Sequence, residues 1–168
     1  MTEGAGIAID GSAVIDFGCG TGLLTEQLVG AGASVEAVDT SAAMLAVLDA
    51  KIVERNWATV RTGTNIPSGG STFDLVVCSS VCSFLDDYPG TLNELVGCLR
   101  PGGLFIQWDW ERSADDSHGL TRNEILEALG GAGLVEAAVR AAFTVEIHGQ
   151  SMTPLLGYGQ HPISGQRT

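Results

Sequence analysis

Between Val14 and Gly22 the chain reads Val-Ile-Asp-Phe-Gly-Cys-Gly-Thr-Gly, and Leu23, Leu24 and Leu28 then begin a helical pattern. The spacing predicts a strand, a tight glycine turn and a helix in immediate succession, the building unit of α/β folds. Alternate glycines let a backbone turn pass against a ligand where a Cβ would collide, and they permit positive φ. Their G-x-G-x-G spacing departs from the G-x-G-x-x-G of dinucleotide folds, whose third glycine serves helix–strand packing. A second carboxylate, Asp39, closes the next mainly apolar run, at the place where a ribose-binding acid belongs in such folds.

The same alternation continues along the chain. Thr21 to Val29 is predicted as a helix closed by Gly30 and Gly32, and Ser34 to Val38 as the second strand. Thr40 or Ser41 caps a second helix, in which Leu45, Leu48 and Ile52 share one face. Ala58 to Thr62 reads as a short third strand, and the turn-rich Gly63 to Thr72 as a loop. Phe73 to Cys78 is the fourth strand. A capping box of Thr91 with Glu94 predicts the next helix start, and Arg100-Pro101-Gly102-Gly103 separates that helix from a fifth strand, Leu104 to Trp108. A second box, Thr121 with Glu124, opens a last helix that ends at Gly130 and Gly131. Ala138 to Ile147 and Ser151 to Gly159 pivot on Gly149-Gln150 as a hairpin, with Pro154 at the start of its strand because it cannot donate a ladder hydrogen bond. Such an order predicts a mostly parallel sheet with one antiparallel strand at or beside an edge, binding ligands at the carboxyl ends of its strands.

At 168 residues the chain suits one α/β domain spanning residues 1–168. Twenty acidic against eight basic residues give a formal charge of −12, with Lys51 the only lysine. Such a surface repels phosphate backbones, which argues against nucleic acid and suits a neutral or cationic small molecule, although acidity also serves solubility. No apolar run is long enough to span a bilayer and the N-terminus lacks a signal-peptide pattern, so a cytoplasmic protein without membrane association is expected. Cys19, Cys78, Cys82 and Cys98 form no C-x-x-C pair and have no histidine at ligand spacing, so they are expected to be buried reduced thiols rather than a metal site.

Val14–Gly22, Val38-Asp39-Thr40-Ser41, Phe73-Asp74-Leu75-Val76 and Leu99-Arg100-Pro101-Gly102-Gly103-Leu104, in that order, resemble the motifs of class I S-adenosylmethionine-dependent methyltransferases. The similarity is greatest to the small-molecule enzymes of the ubiquinone and menaquinone biosynthesis type, and the ending Leu156-Gly157-Tyr158-Gly159 extends it. This resemblance implies an α/β, Rossmann-like, mostly parallel seven-stranded sheet flanked by helices, with a C-terminal β-hairpin giving one antiparallel strand. It also implies S-adenosyl-L-methionine as cofactor and in-line transfer of its methyl group to a small-molecule acceptor, the protein supplying proximity and orientation. Gly18, Cys19, Gly20 and Gly22 are then expected against the methionine moiety. Asp39, followed by Thr40, is expected to accept from both ribose hydroxyls, a role that suits an acceptor-only carboxylate. An acid at a helix start also suits the macrodipole. Asp16 either holds the amino group through water or orients the loop, and a turn-stabilising carboxylate is its structural reading.

Thr64 and Asn65 stand where many relatives carry an aspartate for the adenine amino group; Asn65 offers an amide oxygen, or is a plain turn residue. Ser79 and Ser80 face the expected methyl-transfer site or are ordinary loop residues. Trp108-Asp109-Trp110-Glu111 reads either as a box for a cationic or planar substrate, or as one tryptophan packed under the final helix with both acids solvated. Asp109 and Glu111 are the first candidates for a base if the acceptor is a hydroxyl, whereas His118, His148 and His161 qualify by residue type alone. The absence of Asn-Pro-Pro-Tyr, Asp-Pro-Pro-Tyr and Pro-Cys motifs argues against methylation of DNA bases. Family members place helices ahead of the first strand, but Met1–Ser12, with Gly4, Gly6 and Gly11, is a poor helix. The resulting expectation is a shortened cap region and an open site, covered by another segment, a second copy in a homo-oligomer or a partner chain. An enzyme active alone thus competes with a cofactor-binding but catalytically weak subunit, and a dinucleotide-binding oxidoreductase is the third reading.

Overall fold

Apolar residues at consecutive strand positions belong to strands covered on both faces, and this chain lays such strands side by side. The computed structural model describes residues 8–112, 119–142, 145–147 and 150–163. The first half runs β1 (Ala13–Phe17), α1 (Leu23–Gly30), β2 (Ser34–Val38), α2 (Ala42–Arg55), β3 (Val60–Gly63) and β4 (Phe73–Ser79). After a 3₁₀ turn at Cys82–Phe84 follow α3 (Tyr88–Gly97), β5 (Leu99–Trp110), α4 (Arg122–Gly131), β6 (Val135–Ala141), β7 (Val145–Ile147), β8 (Gln150–Met152) and β9 (Pro154–Gln160). Seven strands form one sheet in the order β3-β2-β1-β4-β5-β9-β6. β1 to β5 pair in parallel, and β9 runs antiparallel to both its neighbours. The single reversed strand lies next to the edge, as expected.

The two sheet faces carry separate cores. Ile15, Val76, Cys78 and Phe105 pack with Leu92 and Leu95 of α3 and with Ile125 and Leu129 of α4. Val14, Val35, Ala37, Leu75 and Val77 pack with Leu28 of α1 and with Leu45 and Leu48 of α2. Each such leucine, withdrawn from water, stabilises the fold by about 1.5–3 kcal/mol. At the amino ends of the strands Asp74 is buried, accepts the Ala13 amide at 2.9 Å and pairs with Arg100, tying β1, β4 and β5 together.

Three local expectations change. α3 does not start at a Thr91–Glu94 box: Asp87 caps it four residues earlier, accepting the Gly90 amide at 2.9 Å. Pro89 sits in the first turn, where the missing N–H costs nothing. β5 already begins at Leu99, because the helix stops at Gly97 and the register between β4 and β5 shifts between Phe73 and Leu75 to accommodate the Pro101-Gly102 stretch. The C-terminal hairpin is two ladders rather than one, β6 with β9 in the main sheet and β7 with β8 as a separate pair. The remaining signals hold: Ser41 caps α2, the Thr121–Glu124 box is reciprocal, no helix separates β3 from β4, and β9 starts at Pro154. All four cysteines are buried and free.

Candidate functional site

The carboxyl ends of β1, β2 and β4 meet at the glycine turn. Gly18 and Cys19 both donate their amides to the Val38 carbonyl, at 2.8 and 3.1 Å, and Gly22 donates to Cys19 at 2.9 Å. Gly18, Gly20 and Gly22 have φ of 73, 53 and 84°, the left-handed region that favours glycine. The three glycines nevertheless do different work. A Cβ on Gly18 would come within 2.6 Å of the Val81 side chain, and one on Gly22 would overlap Leu48. One on Gly20 would meet nothing within 4 Å. Only Gly20 therefore turns an open face outward, while the other two make room for the protein's own side chains.

Asp39 braces this turn. Its Oδ2 accepts the Gly20 amide and its Oδ1 the Ser41 amide, both at 2.8 Å, and the carboxylate is half-buried. Lys51 of α2 donates to the Thr21 carbonyl at 2.8 Å from the other side. Asp16, only 1% exposed, accepts the Thr25 hydroxyl at 2.6 Å. Burial pushes its carboxyl above the ordinary carboxylate range, the Thr25 hydrogen bonds oppose this, and the Asp39 charge adds to it. Burial, helped by the Asp16 and Asp39 charges, also pushes the Cys19 thiol up to about 12, so it is an inert neutral wall rather than a nucleophile.

A cavity of about 380 Å³ opens beside the turn, lined by Asp16, Gly18, Cys19, Leu23, Leu24, Gln27 and Ser79. Leu23 is 76% exposed at its rim, an apolar surface without a protein partner among the described residues. Two concavities of about 450 and 460 Å³ lie elsewhere, one near Arg100 at the opposite sheet edge and one between α3 and α4. Of these three, the smallest joins the glycine turn, which makes it the candidate site. Thr40 is exposed beside Asp39, and Asn65 is exposed past the end of β3, donating to the Thr64 hydroxyl at 3.2 Å. Gly63 at that strand end accepts the Asp39 amide at 3.2 Å, so both segments share the same sheet edge.

The structure separates the acids of the tryptophan cluster from this cavity. Side chains alternate along a strand, and Asp109 shares the face of Phe105 and Gln107, the face covered by α3 and α4. It is fully buried, accepting the Ser83 amide at 3.1 Å and the Gln107 amide group at 3.2 Å. Glu111 is exposed and accepts from Arg122 at 3.0 Å. Neither carboxylate lines the cavity, so neither is placed to act as a base there. Trp108 packs half-buried against the core on the opposite face, the one covered by α1 and α2, and not under the final helix. The expectation of solvated acids beside a tryptophan under α4 is thus inverted for Asp109 by strand alternation. His161 pairs through its backbone with Gly102 and Gly103 at the amino end of β5, away from the turn. His118 and His148 lie outside the described residues.

Sequence reasoning missed Lys51, Val81, Gln107 and Tyr88. A lone lysine in an acidic chain and a glutamine in the middle of an apolar strand were the available signals. Nothing local reveals what they touch.

Residues 15–107 match the protein family described as Methyltransferase domain, and this stretch contains the glycine turn, Asp39, Ser79 and all of β1 to β4 but its first residues. The chain belongs to the class I S-adenosylmethionine-dependent methyltransferases. It is 31% identical over 138 residues to a cypemycin N-terminal methyltransferase of Streptomyces, covering 72% of this chain and 56% of that protein. It is 29% identical over 103 residues to a ubiquinone biosynthesis O-methyltransferase of Methylobacterium nodulans, covering 60% of this chain and 41% of the relative. A phosphoethanolamine N-methyltransferase 2 of Haemonchus contortus, solved with phosphomonomethylethanolamine and S-adenosylhomocysteine, superposes with a TM-score of 0.81 at 16% identity, covering 94% of this chain and 50% of that one. The chain thus spans about half the length of these relatives. The family's cofactor is S-adenosyl-L-methionine, and the methyltransferase fold of that structure is this chain's fold. Among the described residues no helix is long and apolar enough to cross a membrane.

Proposed function

We propose that this methyltransferase moves a methyl group from S-adenosyl-L-methionine to a small-molecule acceptor by in-line displacement. The observation that carries the reading is the open face of Gly20, held by Asp39 beside a cavity with an acid at one end and an apolar rim. These residues fit the cofactor. Gly18, Cys19, Gly20 and Ser79 flank its methionine end, and Asp16 faces the amino group from the cavity wall. Asp39 keeps unused lone pairs for the ribose hydroxyls, since each of its oxygens accepts a single backbone amide. Thr40 and the Asn65 amide lie along the same edge for the adenosine. The cofactor supplies an activated methyl carbon on a positively charged sulfur. The chain's part is to bind, to orient and to exclude water, with no base assigned.

A formal charge of −12 favours a neutral or cationic acceptor and disfavours nucleic acid. The relatives' names span the N-terminus of cypemycin, an oxygen in ubiquinone biosynthesis and a phosphoethanolamine nitrogen, so acceptor chemistry varies on this fold. Titration calorimetry with S-adenosylhomocysteine, followed by a metabolite screen with methyl-labelled cofactor, tests the reading. Saturable binding and label in a small molecule are expected. Protection by NADH with none by S-adenosylhomocysteine in a thermal shift overturns it.

A further inference from the structure

We propose that Asp109 is a positioning residue that, with the backbone of Trp108, clamps the turn Ser80–Ser83 and through it sets the position of the glycine loop. The inference rests on the proposed function in one respect only, that this loop is the cofactor's cradle.

The turn after β4 is held at both ends by consecutive residues of β5. The Ser80 amide donates to the Trp108 carbonyl at 2.6 Å, and the Ser83 amide donates to Asp109 Oδ1 at 3.1 Å. Ser80 has φ of 55°, a conformation a non-glycine residue holds only when its surroundings impose it. Between the two ties lies Val81, whose side chain fills the space beside the Gly18 Cα. A displacement of the turn therefore moves Val81 against, or away from, the first glycine of the loop. Ser79, at the start of the same segment, lines the cavity.

Asp109 is itself held from behind. Its Oδ2 accepts from Gln107 Nε2 at 3.2 Å, and Gln107 Oε1 accepts the Tyr88 hydroxyl at 2.6 Å. All three side chains are buried. The titratable groups that interact with the carboxyl are Cys82 of the 3₁₀ turn, whose thiol bonds to it, and Tyr88 of α3, with Cys78 of β4 beyond Cys82; among the described residues no cation joins them. A buried acid held by neutral donors alone is costly compared with a leucine of similar size, and a core position that needed only to be filled would be better served by the apolar residue. The clamp on Ser83 is what the carboxylate provides and leucine does not.

The chain of bonds also makes distinct predictions for different substitutions. In Asp109→Asn, Oδ1 still accepts from Ser83. The new amide donates to Gln107 once that side chain turns over, and Tyr88 becomes the acceptor at the end. In Asp109→Leu the Ser83 amide loses its partner. In Tyr88→Phe the far end of the network is lost while the Ser83 tie remains.

Hydrogen exchange of the unliganded protein, read at residues 18–22 and 80–83, is the first test. Asp109→Leu speeds exchange in both segments by about tenfold, whereas Tyr88→Phe lowers the melting temperature without changing exchange at 18–22. Affinity for S-adenosylhomocysteine follows the same order: Asp109→Leu weakens it by about tenfold, and Asp109→Asn restores it to within about twofold of the parent. Asp109→Ser, too short to reach Ser83, replaces the leucine variant if that one does not fold. Parent-like exchange at 18–22 in a folded Asp109→Leu or Asp109→Ser protein overturns the clamp. If the variants show the exchange effect while the parent chain binds no S-adenosylhomocysteine, the clamp is upheld and the cofactor reading is overturned instead.

Discussion

Asp39 holds the amide of Gly20 at 2.8 Å across the gap between β2 and the glycine turn. Because its other oxygen holds Ser41, one carboxylate fixes both the open glycine and the cap of α2. Asp39→Ala strands both amides and is expected to weaken S-adenosylhomocysteine binding by about 1–3 kcal/mol. Titration calorimetry at constant pH measures this. Parent affinity in that variant refutes the ribose assignment.

The glycines are separable by substitution. Gly18→Ala meets Val81 at 2.6 Å and requires φ of 73°, so it is expected to lower stability by about 2 kcal/mol or more. Gly20→Ala has space and suffers only the left-handed strain, about 1–2 kcal/mol, yet its methyl group enters the proposed ligand face. Denaturant titration and calorimetry on both variants are expected to show Gly20→Ala as the milder for folding but severely impaired in binding.

Asp16 predicts a pH dependence of binding. Burial raises its pKa in the free protein, and a cofactor ammonium beside it favours the ionised form, lowering that pKa. Affinity for S-adenosylhomocysteine is therefore expected to rise with pH through the free-state pKa of Asp16 and then level off. Asp16→Asn flattens this part of the profile. A parent profile that falls with pH in the acid range contradicts the assignment.

Asp109 predicts a pH dependence of stability. Its folded pKa is raised above the ordinary 3.8 by burial, so the folded state binds the proton more tightly than the unfolded chain. That contribution is fully present below about 3.8 and is lost as pH rises through the folded pKa. Relative to the parent, Asp109→Asn is expected to gain stability across this window and to show no further change above it. Urea titrations from pH 4 to pH 8 give the difference directly.

Much of the fold was legible because its signals are local. The capping box at Thr121, the apolar face of α2 and Pro154 at the start of β9 each act within a turn or a strand end. α3 was misplaced for the same reason: Thr91 and Glu94 match a cap pattern, but Asp87 with Pro89 supplies a better one, and the choice depends on burying Tyr88 and Leu92 together.

The sequence by itself determined the order of strands and helices, the positions of the glycine turn and Asp39, and the sheet edge at which they meet. These follow from periodicity, glycine conformational freedom and the handedness of parallel connections. The tertiary structure alone decided that Gly18 and Gly22 yield to Val81 and Leu48 while Gly20 stays open. It also decided that Asp109 looks inward to Ser83 rather than outward to a substrate. Those outcomes depend on side chains from distant parts of the chain filling one space, and steric exclusion and desolvation act only once those parts are packed together.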